Sequence, residues 1–170
     1  MAIVDNFGSD EYIEYAVGKY SDMLLRLCFV YTKNTADAED LVSEVFLSLI
    51  KRGDPFESEE HEKAWLLRLA VNRGKNFVRS GWFRFTAPIE ENRTEAEDIP
   101  DTGNLDRIEN PVLDAVLALP DKYKAPIHLF YWGGYSIAEI ADILGKKQAT
   151  VGTLLSRGRA LLKDVLKEED

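Results

Sequence analysis

The chain has one cysteine, Cys28, and two histidines, His61 and His128, among its 170 residues. An internal disulfide is therefore excluded. Cys28 sits in the apolar run "LLRLCFV" and reads as a small buried residue. The histidines are far apart, and neither stands at metal-ligand spacing with Cys28 or the other, so a zinc or nucleophilic site has little support. Phosphate loops are missing as well: "GRG" and "WGGY" lack Walker or dinucleotide spacing. No run approaches the roughly 18 apolar residues of a membrane helix. The opening "MAIVDNFGSDEY" lacks the basic and apolar regions of a signal peptide. With 45% hydrophobic residues the chain is ordinary for a globular protein. The expectation is a soluble, reduced, cytoplasmic protein with no membrane insertion, no catalysis, no metal and no cofactor.

Basic residues are in deficit overall, with a net charge of −9, which argues at first against nucleic acid. The distribution reverses that reading. Residues 1–86 carry −3, residues 87–111 carry −6, and residues 112–170 are balanced. Acids are missing between Lys63 and Pro88, where Lys63, Arg68, Arg73, Lys75, Arg79 and Arg84 stand. They are missing again between Ile143 and Lys163, where Lys146, Lys147, Arg157, Arg159 and Lys163 stand. Local patches, not totals, set the field that a nucleic acid meets.

No stretch alternates apolar and polar residues as a half-buried strand would, and the periodicity is helical nearly everywhere. Ser9 caps a first helix with a stripe through Tyr12, Ala16, Tyr20, Leu24 and Leu27, broken at Asn34-Thr35. A second runs from about Ala36 to Lys51, with Ala38, Val42, Val45 and Leu49 inward, and Gly53-Asp54-Pro55 stops it. Ser58 opens a third, reaching about Ser80. The acidic, proline-bounded segment 87–110 reads as a linker. Beyond it come short helices from Pro111 and Pro120, with Pro126 expected to shift or kink the second. Ser136 with Glu139 forms a capping box, Gly145 ends that helix, and a last helix buries Val151, Leu155, Leu162 and Val165. The expected fold is all-α: two small helical domains, 1–86 and 111–170, joined by the acidic linker 87–110.

Two faces stand out. Arg68, Asn72, Lys75 and Arg79 fall at spacings of four, three and four, so they share one helix face opposite Leu66, Ala70 and Phe77. Cations with an amide among them suit a nucleic-acid backbone, the amide reaching a base edge. Trp65 lies beside this stripe and Trp82, Phe83 and Phe85 follow it, as aromatics do where single-stranded bases stack. A solvated basic face over core aromatics fits the same pattern. On the second helix, Asp37, Asp40 and Glu44 share a face at a cost of a few tenths of a kcal/mol per like-charged pair. Either a basic partner or solvation accounts for that. "GYSIAEIADILGKKQATVGTLLSRGRALLK" has the layout of a helix-turn-helix.

Three blocks, in this order, resemble the extracytoplasmic-function group of the sigma-70 family of bacterial RNA polymerase sigma factors. "DAEDLVSEVFLSLI" resembles the polymerase-binding helix, and "KAWLLRLAVNRGKNFVRS" the helix that melts and reads the −10 element. "LPDKYKAPIHLFYWGGYSIAEIADILG" with "ATVGTLLSRGRALL" resembles the −35 domain. The likeness spans about residues 10–86 and 111–166. It implies that Asp37, Glu39, Asp40, Ser43 and Glu44 meet the clamp helices of the polymerase largest subunit, with a further contact to the flap region. It implies that Trp65, Arg68, Asn72, Lys75 and Arg79 lie along the opened −10 element, and that Asn72 with the loop around Pro55-Phe56 holds a flipped base. Lys147, Gln148, Thr150, Thr153, Ser156, Arg157 and Arg159 would meet −35 DNA. An anti-sigma factor is a usual partner of such proteins.

This chain departs from the family pattern in places. Ser43 stands where Gln is frequent, and Gly152 and Leu154 stand where cations are frequent. Two lost phosphate contacts imply weaker −35 binding, with a salt slope flatter by nearly two units. Two other readings fit less of the chain: a stand-alone helix-turn-helix regulator, and a sigma-like polymerase-binding protein with weakened promoter reading.

Overall fold

Ser9 starts the first helix by geometry as well as by composition. Its backbone is extended (φ −75°, ψ 160°), and its Oγ accepts the Tyr12 N–H at 3.1 Å, ahead of Asp10 and Glu11 at the positive end of the helix dipole. The computed structural model describes residues 7–86 and 111–168, and every regular element among them is an α-helix. Helix α1 covers Asp10–Thr32. Lys33 ends it at φ 60°, in the left-handed region, donating its N–H to the Phe29 carbonyl at 2.8 Å. Asn34 then caps helix α2, Thr35–Lys51, accepting the Asp37 N–H at 2.8 Å. Thr35 is thus the first residue of α2 rather than part of the break before it. Helix α3, Glu59–Thr86, opens with the Ser58 hydroxyl accepting the His61 N–H at 3.1 Å. It runs six residues beyond the expected end at Ser80, because a single interior glycine, Gly81, costs a helix only about 1 kcal/mol.

Helices α1, α2 and α3 pack together, burying Tyr20, Leu24, Leu27, Val45, Leu49, Leu66 and Leu67. Gly74 lets α3 lie close on α1, since a Cβ there would stand 2.4 Å from the Tyr31 ring. One carboxyl is enclosed. Glu62, 1% exposed, accepts hydrogen bonds from the hydroxyls of Tyr12 and, at 2.6 Å, Tyr20.

The second unit has four helices: α4, Pro111–Leu117; α5, Asp121–Tyr131; α6, Ile137–Leu144; and α7, Gln148–Glu168. Pro126 lies buried inside α5 without ending it. The capping box forms, with the Ser136 hydroxyl accepting the Glu139 N–H at 3.1 Å and Glu139 accepting the Ser136 N–H at 3.0 Å. Gly145 turns the chain at φ 65° between α6 and α7. Helix α7 buries Val151 and Leu155 against α5 and α6, and Gly158 lies against Ile127.

The acidic segment 87–110 lies outside the described residues. The two units nonetheless meet directly, α3 against α6 and α1 against α5. At that junction Tyr31 is buried, and Lys124, 3% exposed, holds its ammonium 5.8 Å from the Tyr31 ring and 3.5 Å from Asp121.

Candidate polymerase and nucleic-acid surfaces

On α2 the inward stripe Ala38, Val42, Val45, Leu49 turns the acids outward. Glu39, Asp40, Ser43 and Glu44 are exposed. Asp37 is half-buried because it also accepts from the Asn34 amide at 2.6 Å. Glu44 lies 3.7 Å from the Arg73 guanidinium, which donates to the Ser48 hydroxyl at 3.3 Å. The acidic face therefore touches the basic helix near its middle. It also continues into apolar residues that sequence reading passed over: Leu47 is 53% exposed and Ile50 51%. Their signal was available, since both fall outside the inward stripe and follow Glu44 at spacings of three.

On α3 the four expected residues divide. Asn72 and Arg79 are exposed. Arg68 is exposed too, but its Nε donates to the Ile143 carbonyl at 2.9 Å and its Nη2 to the Asp142 carbonyl, both at the end of α6. Lys75 is half-buried; burial lowers its pKa, aided by the charges of Lys146 and Arg79. Trp65 is half-buried in an aromatic group, its ring 5.4 Å from Phe56, with the Arg52 guanidinium 5.2 Å from Trp65 and 4.1 Å from Phe56. His61 meets the Phe56 ring edge-on at 5.4 Å. Arg52 and His61 were missed because they lie one on either side of the Gly53-Asp54-Pro55 break, and only folding brings them together.

In the helix-turn-helix, Lys147, Gln148, Thr150, Thr153, Ser156, Arg157 and Arg159 are all exposed. They do not share one face. Thr153, Ser156 and Arg157 stand together at spacings of three and four, whereas Arg159 turns toward α5, 5.3 Å from the Phe130 ring and 5.9 Å from Tyr131. The Thr153 hydroxyl donates to the Ala149 carbonyl at 3.0 Å. The two absent cations also differ. A side chain at Gly152 would enter open space, with no heavy atom within 4 Å of its Cβ, whereas Leu154 is half-buried against the core.

Among the described residues no group of three or more His, Cys, Asp or Glu side chains is placed to hold a metal ion, and no helix is long and apolar enough to cross a membrane. Comparison with known proteins matches the two units separately. Sigma-70 region 2 matches residues 16–84, and Sigma-70, region 4 matches residues 109–162. The ECF RNA polymerase sigma factor SigW of Bacillus subtilis is 29% identical over 160 residues, covering 88% of this chain and 86% of that protein. RNA polymerase sigma factor SigV of the same organism is 30% identical over 146 residues, covering 85% of each. In fold the chain is similar to the sigma factor RpoE of Bartonella quintana, solved in complex with the anti-sigma factor NepR. That likeness has a TM-score of 0.68 at 21% identity and covers 91% of this chain and 96% of that one. Two helical units in this order, matched over most of their length by such relatives, place the chain in the sigma-70 family of RNA polymerase sigma factors, in its extracytoplasmic-function group: it is an alternative sigma factor, directing transcription initiation by core RNA polymerase at promoter DNA.

Proposed function

We propose that α1, α2 and α3 form the unit that binds core polymerase and opens the −10 element, and that α4 to α7 form the unit that reads the −35 element. The polymerase contact runs along α2 through Glu39, Asp40, Ser43 and Glu44, with Asp37 at its start and Leu47 and Ile50 extending it. The observation that carries this reading is that one three-helix unit presents an exposed acid-then-apolar stripe on α2 and a separate basic face on α3. A duplex-binding regulator has no use for the first. Exposed charges at such a contact steer association, while the apolar residues supply area removed from water.

The −10 strand would lie along Trp65, Arg68, Asn72, Lys75 and Arg79, with the exposed Asn72 and the loop around Pro55-Phe56 holding an unstacked base, Phe56 itself being buried beside Arg52 and Trp65. Capturing such a base favours the open duplex by binding alone, at a cost of a few kcal/mol per flipped base. No bond is made or broken by this chain, which therefore acts without catalysis or cofactor, in the cytoplasm where polymerase is. For the −35 element, Thr153, Ser156 and Arg157 form the central face, with Lys147, Gln148 and Thr150 at the helix start and Arg159 to one side. With Gly152 bare and Leu154 against the core, this grip is weak, and the −10 contacts and polymerase carry more of the specificity. An anti-sigma partner, of the kind seen with the Bartonella protein, is the expected regulator.

The test is affinity for core polymerase of Asp40→Lys with Glu44→Lys in the full chain. A loss of at least about tenfold, or about 1.4 kcal/mol, is expected with unchanged helicity. Unchanged affinity would remove α2 from the interface.

A further inference from the structure

Two nitrogen-bearing side chains rest against one buried ring at the start of α3, and each has a donor to spare. The Arg52 guanidinium lies 4.1 Å from the Phe56 ring and 5.2 Å from Trp65, and its Nε donates to the Asp54 carbonyl at 2.8 Å. Its Nη1 and Nη2 groups have no acceptor among the described residues, which leaves a planar fork on a half-buried side chain. His61 meets the same ring edge-on at 5.4 Å. Its Nδ1 accepts the Glu57 N–H at 3.4 Å, so the neutral imidazole carries its proton on Nε2, a donor on an exposed side chain.

The surroundings select the kind of ligand. Phe56 is 7% exposed, so it supports these donors and offers no open face for stacking. Asp54, Glu57 and Glu60, their neighbours in the chain, are exposed carboxylates, and a phosphate brought among them is repelled. A base edge is neutral and meets no such repulsion. Two donors, one of them a fork, fit an edge that sets two acceptors side by side: guanine through O6 and N7, or cytosine through O2 and N3. Adenine places its amino group between N1 and N7, and thymine separates O2 from O4 with an N–H.

We propose that Arg52 and His61 determine base specificity in the −10 contact: from beside Phe56 they donate to the edge of the unstacked base, favouring guanine or cytosine there over adenine or thymine. This rests on the assignment of Asn72 and the loop around Pro55-Phe56 as the place that holds that base. The hydrogen bonds of Arg52 to Asp54 and of His61 to Glu57 fix both donors before DNA arrives, so little side-chain freedom is lost on binding.

Selection from random DNA tests this. Holoenzyme reconstituted from the full chain and core polymerase is offered a pool of random single-stranded oligonucleotides of about 20 bases, and the retained strands are sequenced. The unaltered chain is expected to enrich guanine or cytosine over adenine and thymine at least about fivefold at one position. Arg52→Lys keeps a cation over Phe56 but loses the fork. His61→Glu keeps an acceptor in the first turn of α3, where a carboxylate suits the helix start, but loses the donor. Each is expected to reduce that enrichment at least about threefold at that position alone, with helical circular dichroism unchanged, and His61→Glu to raise adenine, whose amino group a carboxylate accepts. An unchanged preference, or an equal loss for all four bases with the preference intact, overturns the proposal, the second outcome showing that the pair only supports the loop. Asn72→Ala separates this from the underlying assignment. If it lowers retention while the other two variants change nothing, only the reading by Arg52 and His61 fails. If it has no effect and no position is enriched by the unaltered chain, the assignment of the base-holding loop fails with it.

Discussion

Gly152 and Gly158 lie in one helix, six residues apart, and alanine at the two positions is expected to act in opposite directions. Each substitution removes backbone freedom from the unfolded chain and should stabilise α7 by roughly 0.5–1 kcal/mol. At Gly152 nothing opposes this, because an added Cβ meets no heavy atom within 4 Å. At Gly158 the Cβ would stand 2.8 Å from Cγ1 and 2.9 Å from Cδ1 of Ile127. Ordinary carbon contacts lie at about 3.5–4.0 Å. Ile127 is fully buried, so it has no free space into which to swing, and overpacking of this kind costs about 1–3 kcal/mol. The propensity gain is common to both variants and cancels in their difference. A gap of about 1–3 kcal/mol between them therefore isolates the packing between α5 and α7. In a chain of this size that corresponds to roughly 2–4 °C in Tm per kcal/mol. Thermal and urea unfolding followed by helical circular dichroism, on full-length protein under one set of conditions, measures it. If Gly158→Ala proved as stabilising as Gly152→Ala, the close approach of the two helices would be refuted.

Tyr20→Phe removes one of two hydroxyls serving the buried Glu62 and should destabilise the chain by about 1.5–3 kcal/mol, as for a hydrogen bond to a buried ionisable group; urea unfolding showing no loss would mean that Glu62 is satisfied without it. His128 is held down to about 4 by burial and by the nearby charge of Arg26. A depressed pKa stabilises the fold above the ordinary histidine value of 6.5, and that contribution is lost as pH falls from 6.5 toward 4. His128→Gln should therefore lose less stability than the unaltered chain between pH 7 and pH 4.5, and parallel stability curves for the two proteins would exclude this role.

What could be read in the sequence was local. Ser9, Ser136 with Glu139, and Gly145 sit where a cap satisfies backbone groups within a turn or two, so residue type alone locates them. The inward stripes of α1 and α2 follow because periodicity and burial are the same fact on a helix. Leu154 shows where that stops. By position it stands in place of a cation, but it is three residues from Val151 and adjacent to Leu155, both fully buried, and it lies half-buried at the edge of their face. A cation there would need to bend outward past the core, so Leu154→Arg tests packing and DNA contact together. Gly152 is the cleaner position: Gly152→Lys adds charge on open surface, on the same side as Arg159.

The partner of Arg68 could not have been read from the sequence at all. A guanidinium usually announces its acceptor through a carboxylate at helical spacing or in a matching acidic face, and neither exists here. Its acceptors are backbone carbonyls more than seventy residues away, a chemistry every residue carries and none advertises. What makes Ile143 and Asp142 suitable is their place in the last turn of a short helix ended by Gly145 at positive φ, which leaves carbonyls pointing outward. Side-chain charge therefore suffices to mark α3 as basic. Only the packing of α3 on α6 shows that two of the Arg68 donors already have partners, and those partners bear no formal charge.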